Sequence, residues 1–337
     1  MRFSIIIPAY NAETFLKECL ESVDRQDYSD YEIIIIEDGS TDSTPELVDL
    51  ASKKNEKINV IHKSNQGLLL ARHDGVLNSR GDYLIFLDAD DMLNLKTLRV
   101  CSDIIDERDP DVIIYGMTND PCYKKRTEKR VGSVNYYEKN KLDKLKILIC
   151  QGGLHSMCGK AIRRSCFTDK IPYNKYAGLM HGEDLLQCIY IFDNISNAYI
   201  TNEKLYYYRP NSGASTSEYK RSQLSDLKKV LYELDTISTK WGEAFLRAAF
   251  VGKALQICYL LRLLVNSKLS LQKKQHELLE FSKTLNDFGY TTQAIKKAKM
   301  RVDYKIELCA CLDCDLDRLK RTITLTDQIK KILGYYR

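Results

Sequence analysis

Apolar and polar positions along the first third of this chain follow two rhythms that take turns. Residues 3–8 form a short, almost wholly apolar run ending at Pro8, as a strand buried on both faces would. Residues 12–23 then carry Phe15, Leu16, Cys19, Leu20 and Val23 at helical spacing on one face. The cycle repeats with a strand at 31–36, a helix opened by Thr44-Pro45 and a strand at 58–62. A helix over 68–78 and a strand at 83–87 follow. Strands alternating with helices at this spacing predict an α/β fold, a mostly parallel sheet with right-handed crossovers and flanking helices.

Beyond residue 88 the rhythm loosens. The pattern predicts a strand at 111–115, a charged and weakly periodic loop at 121–141, and a solvated basic rim at Lys160, Arg163 and Arg164. It then predicts a helix from Asp184 to about Phe192, strands at 198–201 and 204–209, and a flexible connection at 210–217. From Lys220 onward the chain reads as helical, with no strand signal. The expected division is therefore 1–217, in halves 1–115 and 116–217, followed by a helical region at 218–337.

Composition narrows the class. The chain has 337 residues, 44% hydrophobic and 29% charged, the balance of a soluble globular protein. The N-terminus lacks the features of a signal peptide, and the longest later apolar stretch, 254–265, contains Arg262 and reads as too short to span a bilayer. A cytoplasmic location is expected. Eleven scattered cysteines, an odd number, fit a reducing compartment. The net charge of +5 conceals an asymmetry: 28 Lys and Arg against 33 Asp and Glu up to Tyr219, then 23 against 13. The acidic part suits a neutralising metal, and the basic part suits peripheral contact with an anionic membrane.

The candidate chemistry sits where apolar runs stop. The run at 83–87 ends in three carboxylates within four residues, Asp88, Asp90 and Asp91. Open α/β sheets bind ligands beyond the carboxyl ends of their strands, and carboxylates this close repel unless a cation or donors compensate them. A hard divalent ion that bridges to a diphosphate meets that need. The bland alternative makes Asp91 the N-cap of a helix starting near Leu95. Asp38-Gly39 and Asn65-Gln66-Gly67 are polar junctions whose glycines allow sharp turns or close ligand approach. Glu183-Asp184 lies at the positive end of a helix, and the neighbouring His181 reads as a loop histidine. No G-x-G-x-x-G follows the first strand, which argues against a dinucleotide-binding dehydrogenase. Gly153 to Lys160 only imitates a phosphate loop, because its spacing is one residue too long and Ala161 replaces the required hydroxyl. Cys309, Cys311 and Cys314 read as buried apolar cysteines rather than zinc ligands.

Several motifs in order carry a resemblance. They are Pro8-Ala9-Tyr10-Asn11, Glu37-Asp38-Gly39-Ser40-Thr41-Asp42, Asn65-Gln66-Gly67, Ala71-Arg72, Asp88-Ala89-Asp90-Asp91 and Gly182-Glu183-Asp184-Leu185. Leu205-Tyr206-Tyr207-Tyr208-Arg209 and Ser215-Thr216 extend the series. Over residues 1–217 the chain resembles the inverting glycosyltransferases of family two, which have the GT-A fold. The resemblance implies a nucleotide-sugar-binding half at 1–115 and an acceptor-side half at 116–217. It implies that Asp38 accepts a hydrogen bond from uracil, that Arg72 and the backbone around Pro8 and Tyr10 hold the same nucleoside, and that Asp88 lies near the ribose and donor sugar. Asp90 would bind Mn²⁺ or Mg²⁺, supported by Asp91, while Arg209 and the loop to Ser217 close over the diphosphate. Asp184 would be the catalytic base and Glu183 its supporting neighbour.

The implied reaction moves a hexose or N-acetylhexosamine from a UDP-sugar to a glycan or lipid-linked glycan in surface polysaccharide synthesis, at the inner face of the membrane. No nucleic-acid partner is expected. A degenerate nucleotide-sugar binder or assembly protein would lack Asp90 or Asp184, and both are present. A sugar nucleotidyltransferase would need a glycine-rich basic loop where Ala9-Tyr10-Asn11-Ala12 stands.

Overall fold

Runs of isoleucine build the centre of the sheet. In β1 (Phe3–Ala9) and β2 (Tyr31–Glu37) every residue is buried, as expected for β-branched strands covered on both faces. The computed structural model describes residues 1–123, 135–168, 170–210 and 218–332. Strands β1, β2, β3 (Ile58–His62) and β4 (Tyr83–Phe86) lie parallel in the order β3-β2-β1-β4. They are linked by α1 (Leu16–Asp24), α2 (Thr44–Lys54) and α3 (Leu68–Leu77), in the alternation that the apolar pattern predicts. Helix α3 lies tight against β1, since a Cβ at Gly75 would overlap Ile6 Cγ2.

The second half of the sheet is mixed rather than mostly parallel. Its elements are β5 (Met92–Leu93), α4 (Thr97–Arg108), β6 (Val112–Thr118), β7 (Asn135–Tyr137), α5 (Asp143–Cys150), β8 (Lys160–Arg163), α6 (Glu183–Asn194) and β9 (Ala198–Tyr207). Strand β8 inserts antiparallel between β4 and β6, and β6 pairs parallel with β9. Short β5 and β7 run antiparallel to β9. The two strands expected at 198–201 and 204–209 are one strand, with an irregular register against β6 around Gly116. The expected basic rim at 160–164 does not form. Lys160 is buried in β8 and donates to the Ser156 carbonyl, while Arg163 pairs with Asp109 at 2.6 Å and Asp111 at 3.1 Å. Only Arg164 is exposed.

Residues 1–146 and 154–211 form one compact unit; residues 147–153 and 212–337 belong to a second. The second unit contains α7 (Ser222–Trp241), α8 (Glu243–Asn266), α9 (Leu271–Asp287), α10 (Thr292–Lys297), α11 (Val302–Leu312) and α12 (Leu316–Ile332). Helix α8 is central to it: a Cβ at Gly252 would overlap the Cys150 carbonyl. Lys253 reaches Asp235 at 2.6 Å, and Arg262 reaches Glu307 at 2.5 Å and Asp303 at 3.1 Å. By length and composition α8 is long and apolar enough to cross a membrane, which amends the reading of 254–265 as too short. Its paired charges and its buried Ala248, Ala249, Leu260 and Leu261 are those of a core helix. Cys309 and Cys311 are buried on α11, and the Cys314 N–H donates to the Cys311 carbonyl. Residues 124–134 of the expected charged loop, 211–217 of the expected lid, including Ser215 and Thr216, and 333–337 lie outside the described residues.

Candidate functional site

The carboxyl ends of β1, β2 and β4 meet on one edge, and the loops leaving them carry the candidate residues. Pro8 is buried within β1 opposite Ile36, and Tyr10 just beyond is exposed. Asn11 accepts from the Thr41 N–H at 2.8 Å, which ties the first junction to the second. Asp38 is buried at the end of β2. Its two carboxylate oxygens accept from the backbone N–H groups of Gln66 at 3.0 Å and Gly67 at 2.9 Å. Burial raises its pKa above the usual value, against these bonds and the nearby Lys63 ammonium. Gly39 (φ +72°) makes the turn, and a Cβ there would stand 2.7 Å from the Asn65 nitrogen. Asp38 thus joins two loops and keeps acceptor capacity, since a carboxylate has about four lone-pair sites.

The acidic turn after β4 divides its labour. Asp91 is fully buried and caps no helix; α4 begins later, at Thr97. It accepts from the Arg209 N–H and the Tyr206 hydroxyl, both at 2.7 Å. Burial, and then the charges of Asp88 and Asp90, push Asp91 up to about 7 against those two bonds. Arg209 donates from Nε to the Asp90 carbonyl at 2.8 Å and pairs with Glu18 at 2.6 Å. It lies over the Phe15 ring, 4.6 Å from its centroid. Asp88 and Asp90 are half-buried.

Among the described residues no three His, Cys, Asp or Glu side chains are placed to ligate one metal ion. The donor set still fits a divalent ion of the kind held by one or two carboxylates plus substrate phosphates. Three carboxylates stand within four residues here, and Asp88 and Asp90 each add a repulsive charge at Asp91. Asp90 is the residue that would hold such an ion, with Asp91 fixing the turn from behind.

The third group arrives from α3 and α6. Gly182 (φ +89°) precedes α6, so Glu183 and Asp184 lie in its first turn. Arg72, expected against the nucleoside, is instead buried to 1% exposure between two carboxylates. One terminal nitrogen donates to Asp184 Oδ1 and the other to Asp88 Oδ1 at 3.1 Å. Burial alone would lower the guanidinium pKa, but Asp184 and Asp88 hold it well above its ordinary value. Burial and the Asp184 charge push Glu183 up to about 7, with Arg72 opposing. His181 is buried beside this pair.

Two contributors carried no role of their own in the sequence. Tyr206 stood in the motif series without one; it accepts from the Asp88 N–H at 3.2 Å while donating to Asp91. Glu18 steadies Arg209 from α1 and carried no signal at all.

Residues 4–165 match the family model described as glycosyl transferase family 2. The chain is similar to an uncharacterized glycosyltransferase, EpsJ, of Bacillus subtilis (strain 168), 35% identical over 127 residues, covering 38% of this chain and 36% of that one. It is similar to the poly(ribitol-phosphate) beta-N-acetylglucosaminyltransferase TarS of Staphylococcus aureus (strain Mu50 / ATCC 700699), 32% identical over 120 residues, or 35% of this chain and 21% of that one. These matches span well under half of either relative. Among solved structures, S. aureus TarS 1-349 in complex with UDP-GlcNAc shares the fold, with a TM-score of 0.66 and 20% identity over 97% of this chain and 92% of that chain.

Proposed function

Residues 4–165 belong to glycosyl transferase family 2, and from that premise we propose that the chain is an inverting, metal-dependent glycosyltransferase that moves a hexose or N-acetylhexosamine from a UDP-sugar to a glycan hydroxyl during surface polysaccharide synthesis. The observation that carries the reading is the convergence of Asp88 and Asp184, 96 positions apart, on the single buried guanidinium of Arg72. A turn former and a helix cap would need no such junction.

In this reaction the acceptor hydroxyl attacks the anomeric carbon as Asp184 takes its proton, a contribution of about 10²–10⁴-fold for a well-placed base. Attack opposite the leaving group converts an α-linked donor into a β-glycoside. Asp38 accepts from the uracil ring, with the backbone around Pro8 and Tyr10 beside it, and Asp88 binds the ribose and donor sugar. Asp90 would hold Mn²⁺ or Mg²⁺, which when bound supplies a Lewis acid for the charge growing on the departing UDP. Arg209 stands beside the Asp90 backbone, its own N–H held by Asp91, and would pair with the diphosphate oxygens.

The test is UDP release from a panel of UDP-sugars with Mn²⁺, headed by UDP-N-acetylglucosamine because the TarS 1-349 structure holds it. The native chain should turn over one donor to a β-linked product. Asp184→Asn should bind UDP as tightly yet lose about 10²–10⁴-fold in kcat. An α-linked product would refute inversion, and failure to bind UDP would reopen the donor class.

A further inference from the structure

Resting on that reading, we propose that Arg72 is a positioning residue that sets the separation between the donor-sugar anchor, Asp88, and the base, Asp184, and acts on the reaction through Asp184 rather than by binding nucleoside. Three observations carry this. First, each carboxylate is held by one oxygen only: Arg72 bonds Oδ1 of Asp184 and Oδ1 of Asp88. Among the described residues Asp184 has no other hydrogen-bond partner, so Oδ2 is left to face an acceptor hydroxyl. Second, among the described residues the guanidinium has no other polar anchor, and its buried Nε has no hydrogen-bond partner. The two carboxylates and the planar fork therefore fix one another, as a forked donor can and an ammonium cannot.

Third, the stem of Arg72 cannot drift. It leaves α3 one turn before Gly75, where the helix is pressed onto Ile6 of β1, and its guanidinium carbon lies 6.0 Å from the centroid of the Phe86 ring. Cys158, buried close by, completes the surroundings of the two ion pairs. The spacing across which the sugar ring must fit is thus transmitted from the β1–α3 contact to the base.

The experiment is a cycle of Arg72→Lys and Asp184→Asn, singly and together, read by UDP release from UDP-N-acetylglucosamine with Mn²⁺ and by calorimetric UDP binding. Arg72→Lys keeps the charge but loses the fork. It should lower kcat by about 10²-fold, the scale of a misplaced reacting group, while UDP affinity, to which Asp88 adds only its ribose contact, falls by much less than that. In the Asp184→Asn background it should cost nothing further in kcat. Arg72→Ala, assayed with and without a low concentration of guanidinium ion, is the second variant: added guanidinium should restore part of kcat where Asp184 is intact and none where it is Asn.

Wild-type kcat in Arg72→Lys would overturn the proposal. So would a loss that lies in UDP affinity and multiplies with that of Asp184→Asn, which is the signature of a nucleoside contact. Full activity in Asp184→Asn, or no UDP release by the native chain, would instead refute the glycosyltransferase reading on which the proposal rests.

Discussion

Glu183 and Asp184 are neighbours with different surroundings: one carboxyl is pushed up to about 7, and the other is gripped by a guanidinium. An unfolded glutamate titrates near ~4.3, so the folded protein keeps a proton on Glu183 that the unfolded chain releases. The folded state is favoured by this proton in full below pH ~4, and the advantage is lost as pH rises through about 7. Glu183→Gln removes the titration. Its stability relative to the native chain should rise between pH 4 and pH 8, reaching roughly 1–3 kcal/mol in urea unfolding at pH 8. A difference that stays flat with pH would show that Glu183 does not carry the shifted proton. Asp91, another raised carboxyl, is buried in a different role, as the peg that joins β9 to the acidic turn.

At the scale of elements, the site depends on α3 lying close to β1. Alanine is about 1 kcal/mol better than glycine inside a helix, so Gly75→Ala ought to stabilise α3 by propensity alone. The overlap with Ile6 Cγ2 reverses that sign. Lifting a helix off a packed sheet costs roughly 1–3 kcal/mol, and the same shift displaces Arg72. Gly75→Ala should therefore lower both the urea midpoint and kcat; a more stable and equally active variant would show that α3 does not set the site. The alternation of β1 to β4 with α1 to α3 was legible because strands buried on both faces and amphipathic helices differ in period. In the mixed half β6, α6 and β9 were legible for the same reason, and the short strands were not. Strand β8 is Lys-Ala-Ile-Arg, whose buried lysine donates to the Ser156 carbonyl. Strand β5 is two residues long, too short for any period. The acidic turn and Glu183-Asp184 were visible as residues. Their connection through Arg72 was not, because nothing local in the sequence marks a contact spanning 112 positions.

For the whole molecule, the candidate site draws every side chain named for it from the first unit, so the second can be perturbed separately. Glu307 is fully buried, and burial raises its pKa above the usual carboxylate value against the Arg262 ion pair. Breaking a buried pair by removing one partner costs roughly 3–5 kcal/mol, whereas replacing both with apolar groups is often neutral or stabilising. Arg262→Met should destabilise the second unit by about that amount, and Arg262→Met with Glu307→Leu should recover most of it. The readouts separate naturally. The chain's one tryptophan is Trp241, at the end of α7, packed edge-on to Phe245 at 5.6 Å. Its fluorescence follows the second unit, while UDP affinity follows the first. Arg262→Met should lower the urea midpoint seen by Trp241 and leave UDP binding within about twofold below that midpoint. Parallel loss of both signals would mean that the two units unfold as one cooperative body, and an unmoved midpoint would mean that the Arg262–Glu307 pair contributes nothing to holding α8 and α11 together.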